Sequence, residues 1–293
     1  MSAHDASGAA QRPIRTTPSR TVTAASLRAL SALLLRDAVV LRKHLAEFVL
    51  RTLIQPFLLC FVFLYVFPKI GQGIGGGGRG AQSEFATVLV PGVVGISVMF
   101  QGIQAVALTM AQEFGYTREI EDRVQAPCPI WLVAVAKVAS GTVQALLSAA
   151  IVLPIASVVR ASGVRADLVL HWPLILTLVP LACLAMAALG LLLGTTFDAR
   201  NIGLMFGFIV LPITFLGGTY YQWSRLESVT VAGWPWLKML VLVNPLLYVN
   251  EGMRAAFTNA SHMSLYAIYP VLVGFAVAFL TLGLLNFRRR VLA

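Results

Sequence analysis

From Phe85 to Met110 the chain reads FATVLVPGVVGISVMFQGIQAVALTM, without one charged side chain. A helix needs about 20 such residues, at about 1.5 Å each, to cross the roughly 30 Å hydrocarbon core of a bilayer. Further apolar stretches lie at about 48–67, 130–159, 172–195, 202–221 and 267–287. In lipid the backbone amides must be satisfied within each segment, so such stretches predict helices. The reading is an all-α membrane protein with six transmembrane helices in one domain over 22–293. Residues 1–21, rich in Ser, Thr, Pro and Arg, read as a disordered cytoplasmic tail with no apolar core for a cleavable signal. Composition agrees: 58% of residues are hydrophobic and 12% charged, where soluble domains carry about a quarter.

A net charge of +10 would suit a nucleic-acid binder, but the bases sit at span ends and in the tails. Anionic membrane lipids and the positive-inside rule account for that placement, so no nucleic-acid partner is expected. With both termini inside, fifteen Lys and Arg fall on cytoplasmic sections and seven on external ones. That asymmetry predicts N-in, C-in and an even number of spans. Arg is 18 of the 22 basic residues, a composition pointing to a GC-rich bacterial genome and hence to a bacterial inner membrane.

Before the first span, 22–47 predicts a helix lying in the membrane interface. Leu27, Leu30, Leu34, Leu41 and Leu45 share one face, opposite Arg28, Arg36, Arg42 and Lys43. Asp37 projects near the apolar side, where it would pair with a neighbouring arginine or touch another protein. Arg51 and Lys137, early in the first and third spans, read as snorkelling residues. The glycine-rich run GQGIGGGGRG lacks the Gly-Lys-Ser/Thr ending of a phosphate loop and reads as an external loop. Gly203 and Gly207 have the small-xxx-small spacing that permits close helix packing and a dimer face. The stretch Trp234–Tyr248 is apolar, broken by Pro235 and Pro245, and too short to span. It predicts external re-entrant helices before the last span.

The one concentration of acids lies between the second and third spans. Glu113, Arg118, Glu119, Glu121, Asp122 and Arg123 fall within EFGYTREIEDRV. This predicts a short charged helix on the cytoplasmic side. No mid-span acid or histidine suggests ion coupling, and no Walker-type loop suggests nucleotide hydrolysis by this chain. His4, His44, His171 and His262 have no metal-ligand spacing, and Cys60, Cys128 and Cys183 form no disulfide pattern. A membrane protein without its own energy source, carrying a polar cytoplasmic lever, is what remains.

This arrangement resembles the permease subunits of ABC-2-type ABC transporters over nearly the whole chain. The helix at 22–47 resembles that family's N-terminal elbow. The island resembles its cytoplasmic coupling segment through Glu113, Gly115, Asp122, Arg123, Pro127 and Lys137. Gly217, Gly218, Asn244, Pro245 and Arg254 match the family's G-G…N-P…R pattern in the external region. Tyr116-Thr117 and Cys128 depart from the pattern. The resemblance implies two permease copies, as a homodimer or heterodimer, with two separate ATPase subunits that hold the ATP and magnesium; this chain would bind no cofactor. It implies ATPase coupling by Glu113, Glu119, Glu121, Asp122 and Arg123. By the same analogy the substrate path runs between the second and fifth spans, with Met99, Phe100, Gln101, Gln104, Phe206 and Phe208 as its lining. Export of a hydrophobic drug, lipid or glycolipid fits that lining. Export of a polysaccharide or lipid-linked glycan is an alternative within the same fold. A polyprenyl-type transferase is the alternative outside it, and for that Glu119–Asp122 is a poor metal motif.

Overall fold

A computed structural model of the chain describes residues 22–70, 79–115, 130–158, 166–228, 230 and 235–292. The N-terminal tail, the glycine-rich run as far as Gly78 and the island residues Glu119, Glu121, Asp122 and Arg123 lie outside these. The last two residues of that run, Arg79 and Gly80, begin a helix where an external loop was expected. All regular elements among the described residues are helical. Helix α1 spans Val22–Lys43, and a turn at His44 leads into α2, Leu45–Lys69, which contains Pro56 and a π-helical stretch at Phe61–Val66. Three long helices follow: α3 (Arg79–Gly115), α4 (Ile130–Val158) and α5 (Trp172–Thr196). Helix α6 covers Ile202–Leu216, α7 the short turn Trp236–Leu240, α8 Pro245–Phe257 and α9 Leu265–Leu292.

Five of these, α2, α3, α4, α5 and α9, are long and apolar enough to cross a membrane. The fifth expected span, 202–221, does not reach that length. Its helix stops at Leu216 and is interrupted by a π-helical stretch at Phe206–Val210. Pro212, whose ring lacks a backbone donor, follows that stretch, and a turn at Gly217 and Gly218 ends the helix. Gly218 takes a φ of 70°, a left-handed conformation that glycine reaches without steric cost.

Helix α3 is the axis of the bundle, packed against α4, α5 and α8, while α9 lies along α5. The α3–α5 crossing is close because α5 carries glycine there. A Cβ on Gly194 would stand 2.8 Å from the Cα of Ala107, and one on Gly190 would stand 3.0 Å from the Cα of Ile103. Small residues let apolar helices approach backbone to backbone, which is how they gain dispersion contacts when lipid offers no hydrophobic drive. Gly92 and Gly95 serve the other side of α3, meeting Thr219 and Asn250. By contrast, among the described residues a Cβ on Gly203 or Gly207 would meet nothing within 4 Å, so these two open onto the outer surface of α6.

Helix α1 packs on α4 with Leu30, Leu34 and Leu41 half-buried and Arg28, Arg36, Arg42 and Lys43 exposed. The helix expected to run to residue 47 breaks at His44, however, and Leu45, expected on the same face, is 47% exposed at the start of α2. Of the two roles open to Asp37, pairing with a neighbouring arginine is the one seen, at 2.9 Å from Arg36. Every residue of α8 is buried. Its 13 residues reach about 20 Å, too short to span. Asn244 caps it by accepting from the amide of Leu246, and its own amide donates to the Ile213 carbonyl at 2.8 Å, tying α8 to α6.

Candidate functional site: a polar crevice at the root of the charged segment

The two helices that flank the charged segment in the sequence are joined by a buried ion pair. Helix α3 continues past the expected boundary at Met110 to Gly115, which brings Glu113 level with Lys137 on α4. Their charged groups stand 2.8 Å apart, and both side chains are under a tenth exposed. Lys137 therefore does not snorkel. It turns inward because a carboxylate in the bundle offers more than the headgroup layer, an unpaired buried charge being far costlier than a paired one. Glu113, expected among the residues facing an ATPase, is directed at Lys137 and covered.

Above this pair lies a crevice of about 600 Å³ between α1, α2, α3 and α4. Arg36, Asp37, His44, Glu47, Glu113 and Lys137 line it, with Ser140 and Gln144 from α4. Arg51 of α2 stands at its inner edge and also lines a narrower cleft of about 30 Å³ between α2 and α3. Thr52, Gln55, Phe100, Gln101 and Gln104 border that cleft. Gln101 links the two spaces. Its carbonyl oxygen accepts from Thr52 at 3.3 Å, and its amide nitrogen donates to Gln144 at 3.4 Å. Both bonds are long, and long bonds are weak ones.

Three of the six expected path residues, Phe100, Gln101 and Gln104, thus share one cleft. The other three do not join them. Met99 is fully buried in the core. Phe206 packs half-buried against that core from α6. Phe208, 79% exposed, lies on the outer face of α6 with Leu204, Leu211 and Phe215. Periodicity explains the split, since neighbouring residues on a helix point about 100° apart.

A family model described as ABC-2 type transporter matches residues 28–258. The chain belongs to the ABC-2 type transporter family. It is similar to the inner membrane transport permease YadH of Escherichia coli K12, being 28% identical over 235 residues, 78% of this chain and 84% of that one. The same permease from Escherichia coli O157:H7 and from Shigella flexneri gives the same values. This ABC-2 chain is thus a membrane transport subunit, and its apolar helices make it a multi-pass membrane protein.

The G-G…N-P…R residues of this ABC-2 chain converge on a second buried pair, centred on a glutamate outside the expected motif. Arg254 is fully buried and donates to Glu251 at 2.7 Å, to the Tyr221 carbonyl at 3.0 Å and to the Gly218 carbonyl. Glu251 also accepts from the backbone amides of Trp223 at 3.3 Å and Met263 at 2.8 Å. Burial pulls the guanidinium's pKa down from its ordinary value, and the carboxylate beside it pushes it back up. The planar fork divides the work between two nitrogens at fixed positions, one on the carboxylate and the other on the two carbonyls. Asn250 adds bonds to the Gly217 carbonyl at 2.7 Å and to Thr219 at 3.0 Å. The G-G…N-P…R pattern is thereby the wiring of one joint between α6, the loop after it and α8. An acid and a base three residues apart in an otherwise apolar stretch was the available signal for Glu251.

At the opposite end of the bundle, Arg290 is more than a terminal positive charge. It bonds Asp198 at 2.5 Å and the carbonyls of Thr195 and Phe197 at 3.3 and 3.0 Å, and it stands over the Phe114 ring at 4.8 Å. A basic side chain satisfying the open carbonyls at a helix C-terminus caps α5. It also touches the last turn of α3.

Proposed function

We propose that this chain is the permease subunit of an ATP-driven exporter that carries a hydrophobic or amphipathic substrate, a drug, lipid or glycolipid, out of the cytoplasm or inner leaflet. Separate ATPase subunits hold ATP and magnesium and press on the charged segment through Glu119, Glu121, Asp122 and Arg123. The observation that carries the reading is the Glu113–Lys137 pair, which clamps together the two helices between which that segment runs. A lever moves helices only if its roots are tied to them, and a buried ion pair is such a tie. Arg290 extends the connection from Phe114 to the turn before α6.

The chain works in this reading as a homodimer or heterodimer in a bacterial inner membrane, with both termini cytoplasmic. Helix α6 counts as the sixth span, completed by the turn to Tyr221, and α7 and α8 are re-entrant from the outside. Gly203 and Gly207, with Leu204, Phe208, Leu211 and Phe215 beside them, form an open apolar face on α6 that suits a second permease copy. The YadH relative, whose name calls it an inner membrane transport permease, supports the compartment and the role.

The test is charge reversal in the segment. Glu119→Arg combined with Asp122→Arg should abolish transport in membrane vesicles and release the ATPase in a pull-down, while membrane insertion stays normal. Unaltered ATPase association would remove these residues from the contact. A reporter joined after Arg290 should read cytoplasmic; a periplasmic signal would overturn the span count.

A further inference from the structure

We infer that Arg51, at the point where the crevice narrows, binds the anionic head group of an amphipathic cargo seated in the crevice, with the cargo's hydrocarbon chain along the exposed apolar face of α2. The inference rests on the transport reading above and names the chemistry of its cargo. Arg51 is the one side chain shared by the crevice and the narrower cleft, so it stands where the two meet. The other cations of the crevice have partners: Arg36 has Asp37, and Lys137 has Glu113. Glu47, one turn before Arg51, has its side chain 80% exposed and stands 3.6 Å from His44. Among the described residues no carboxylate forms an ion pair with Arg51. It is the cation left over at the point where the crevice narrows.

The surroundings fit a head group rather than an isolated ion. Gln55 is exposed one turn deeper than Arg51 on the same side of α2, where an amide facing hydrocarbon would be costly. The crevice, at about 600 Å³, has room for a head group where the narrow cleft has room for about one water, and Gln144 in its wall accepts a long bond from Gln101, weak enough to exchange for a ligand's. Beside this polar track, Leu50, Ile54, Phe57, Leu58 and Phe61 form an exposed apolar stripe at helical spacing. A charged, hydrogen-bonding edge against an apolar stripe is complementary to a molecule with a phosphate or carboxylate next to a hydrocarbon tail. A guanidinium recognises either anion with two parallel bonds.

The experiment uses the full-length chain in phosphatidylcholine nanodiscs, doped with spin-labelled phosphatidic acid or with spin-labelled phosphatidylcholine. The expected result is an immobilised signal from the phosphatidic acid probe and none from phosphatidylcholine. Arg51→Ala should weaken that signal about tenfold, the worth of one charge-assisted hydrogen-bonded pair. Arg51→Lys keeps the charge without the two parallel bonds and should retain part of the signal, which guards against a folding defect. Arg42→Ala removes an exposed base that lines neither cavity and should leave the signal unchanged. Excess inorganic phosphate should not displace the probe. Equal immobilisation of both probes, an Arg42→Ala loss as large as that of Arg51→Ala, or displacement by inorganic phosphate would each overturn the inference. Selective probe binding by a chain that captures no ATPase would strike the transport reading alone.

Discussion

Arg254→Ala is expected to lower the stability of the detergent-purified chain by about 3–5 kcal/mol, the loss found when one member of a buried ion pair is removed. The substitution strands the Glu251 carboxylate at 1% exposure and orphans the carbonyls of Gly218 and Tyr221. Arg254→Lys should recover little, because a single ammonium nitrogen cannot stand at both of the positions from which the guanidinium bonds the carboxylate and the two carbonyls. The double variant Glu251→Gln with Arg254→Met removes both charges, and its loss should be clearly smaller than that of Arg254→Ala. Thermal unfolding followed by fluorescence-detected size exclusion measures all three. A double variant no more stable than Arg254→Ala would show that the guanidinium matters for its bonds to the loop rather than for neutralising Glu251.

The second large effect concerns the pair at the other end of α3. Lys137→Met leaves the Glu113 carboxylate buried without its ammonium, again at about 3–5 kcal/mol. Here stability and transport should separate. Glu113→Gln with Lys137→Met restores much of the stability by removing both charges, yet it also removes the tie between α3 and α4, so transport should stay low. The exchange Glu113→Lys with Lys137→Glu rebuilds the tie with reversed polarity and should recover both. Substrate efflux from vesicles, read beside the unfolding temperature, checks this. Full transport by the uncharged double variant would show that the pair supports the fold and not the lever.

What could be read from the sequence is what hydrophobicity and periodicity carry. The uncharged run Phe85–Met110, the leucine face of 22–47 and the stop at Arg288–Arg290 depend on residues near one another in the chain, and helices duly stand at each. The family also showed itself in local motifs, and the model matching residues 28–258 agrees with it. The interruption of α6 was less legible: 202–221 is apolar throughout, and hydropathy does not register a π-helical stretch at Phe206–Val210. The same limit explains the two glycine pairs. Gly190 with Gly194 and Gly203 with Gly207 are indistinguishable by spacing, yet among the described residues only the first pair meets another helix.

The partners of the charged residues were decided only in three dimensions. Lys137 and Arg51 look alike on paper, each a base a short way into an apolar run. One is buried against Glu113, and the other stands open at the junction of two cavities. Glu251 was given no role by its place in the sequence and is the centre of the joint between α6 and α8. Along one helix, sequence alone specifies which residues share a face, because the rise and turn per residue are constant. Which face meets which neighbour depends on how whole helices pack, and that is settled by close approach at glycines and by the cost of leaving a buried charge alone.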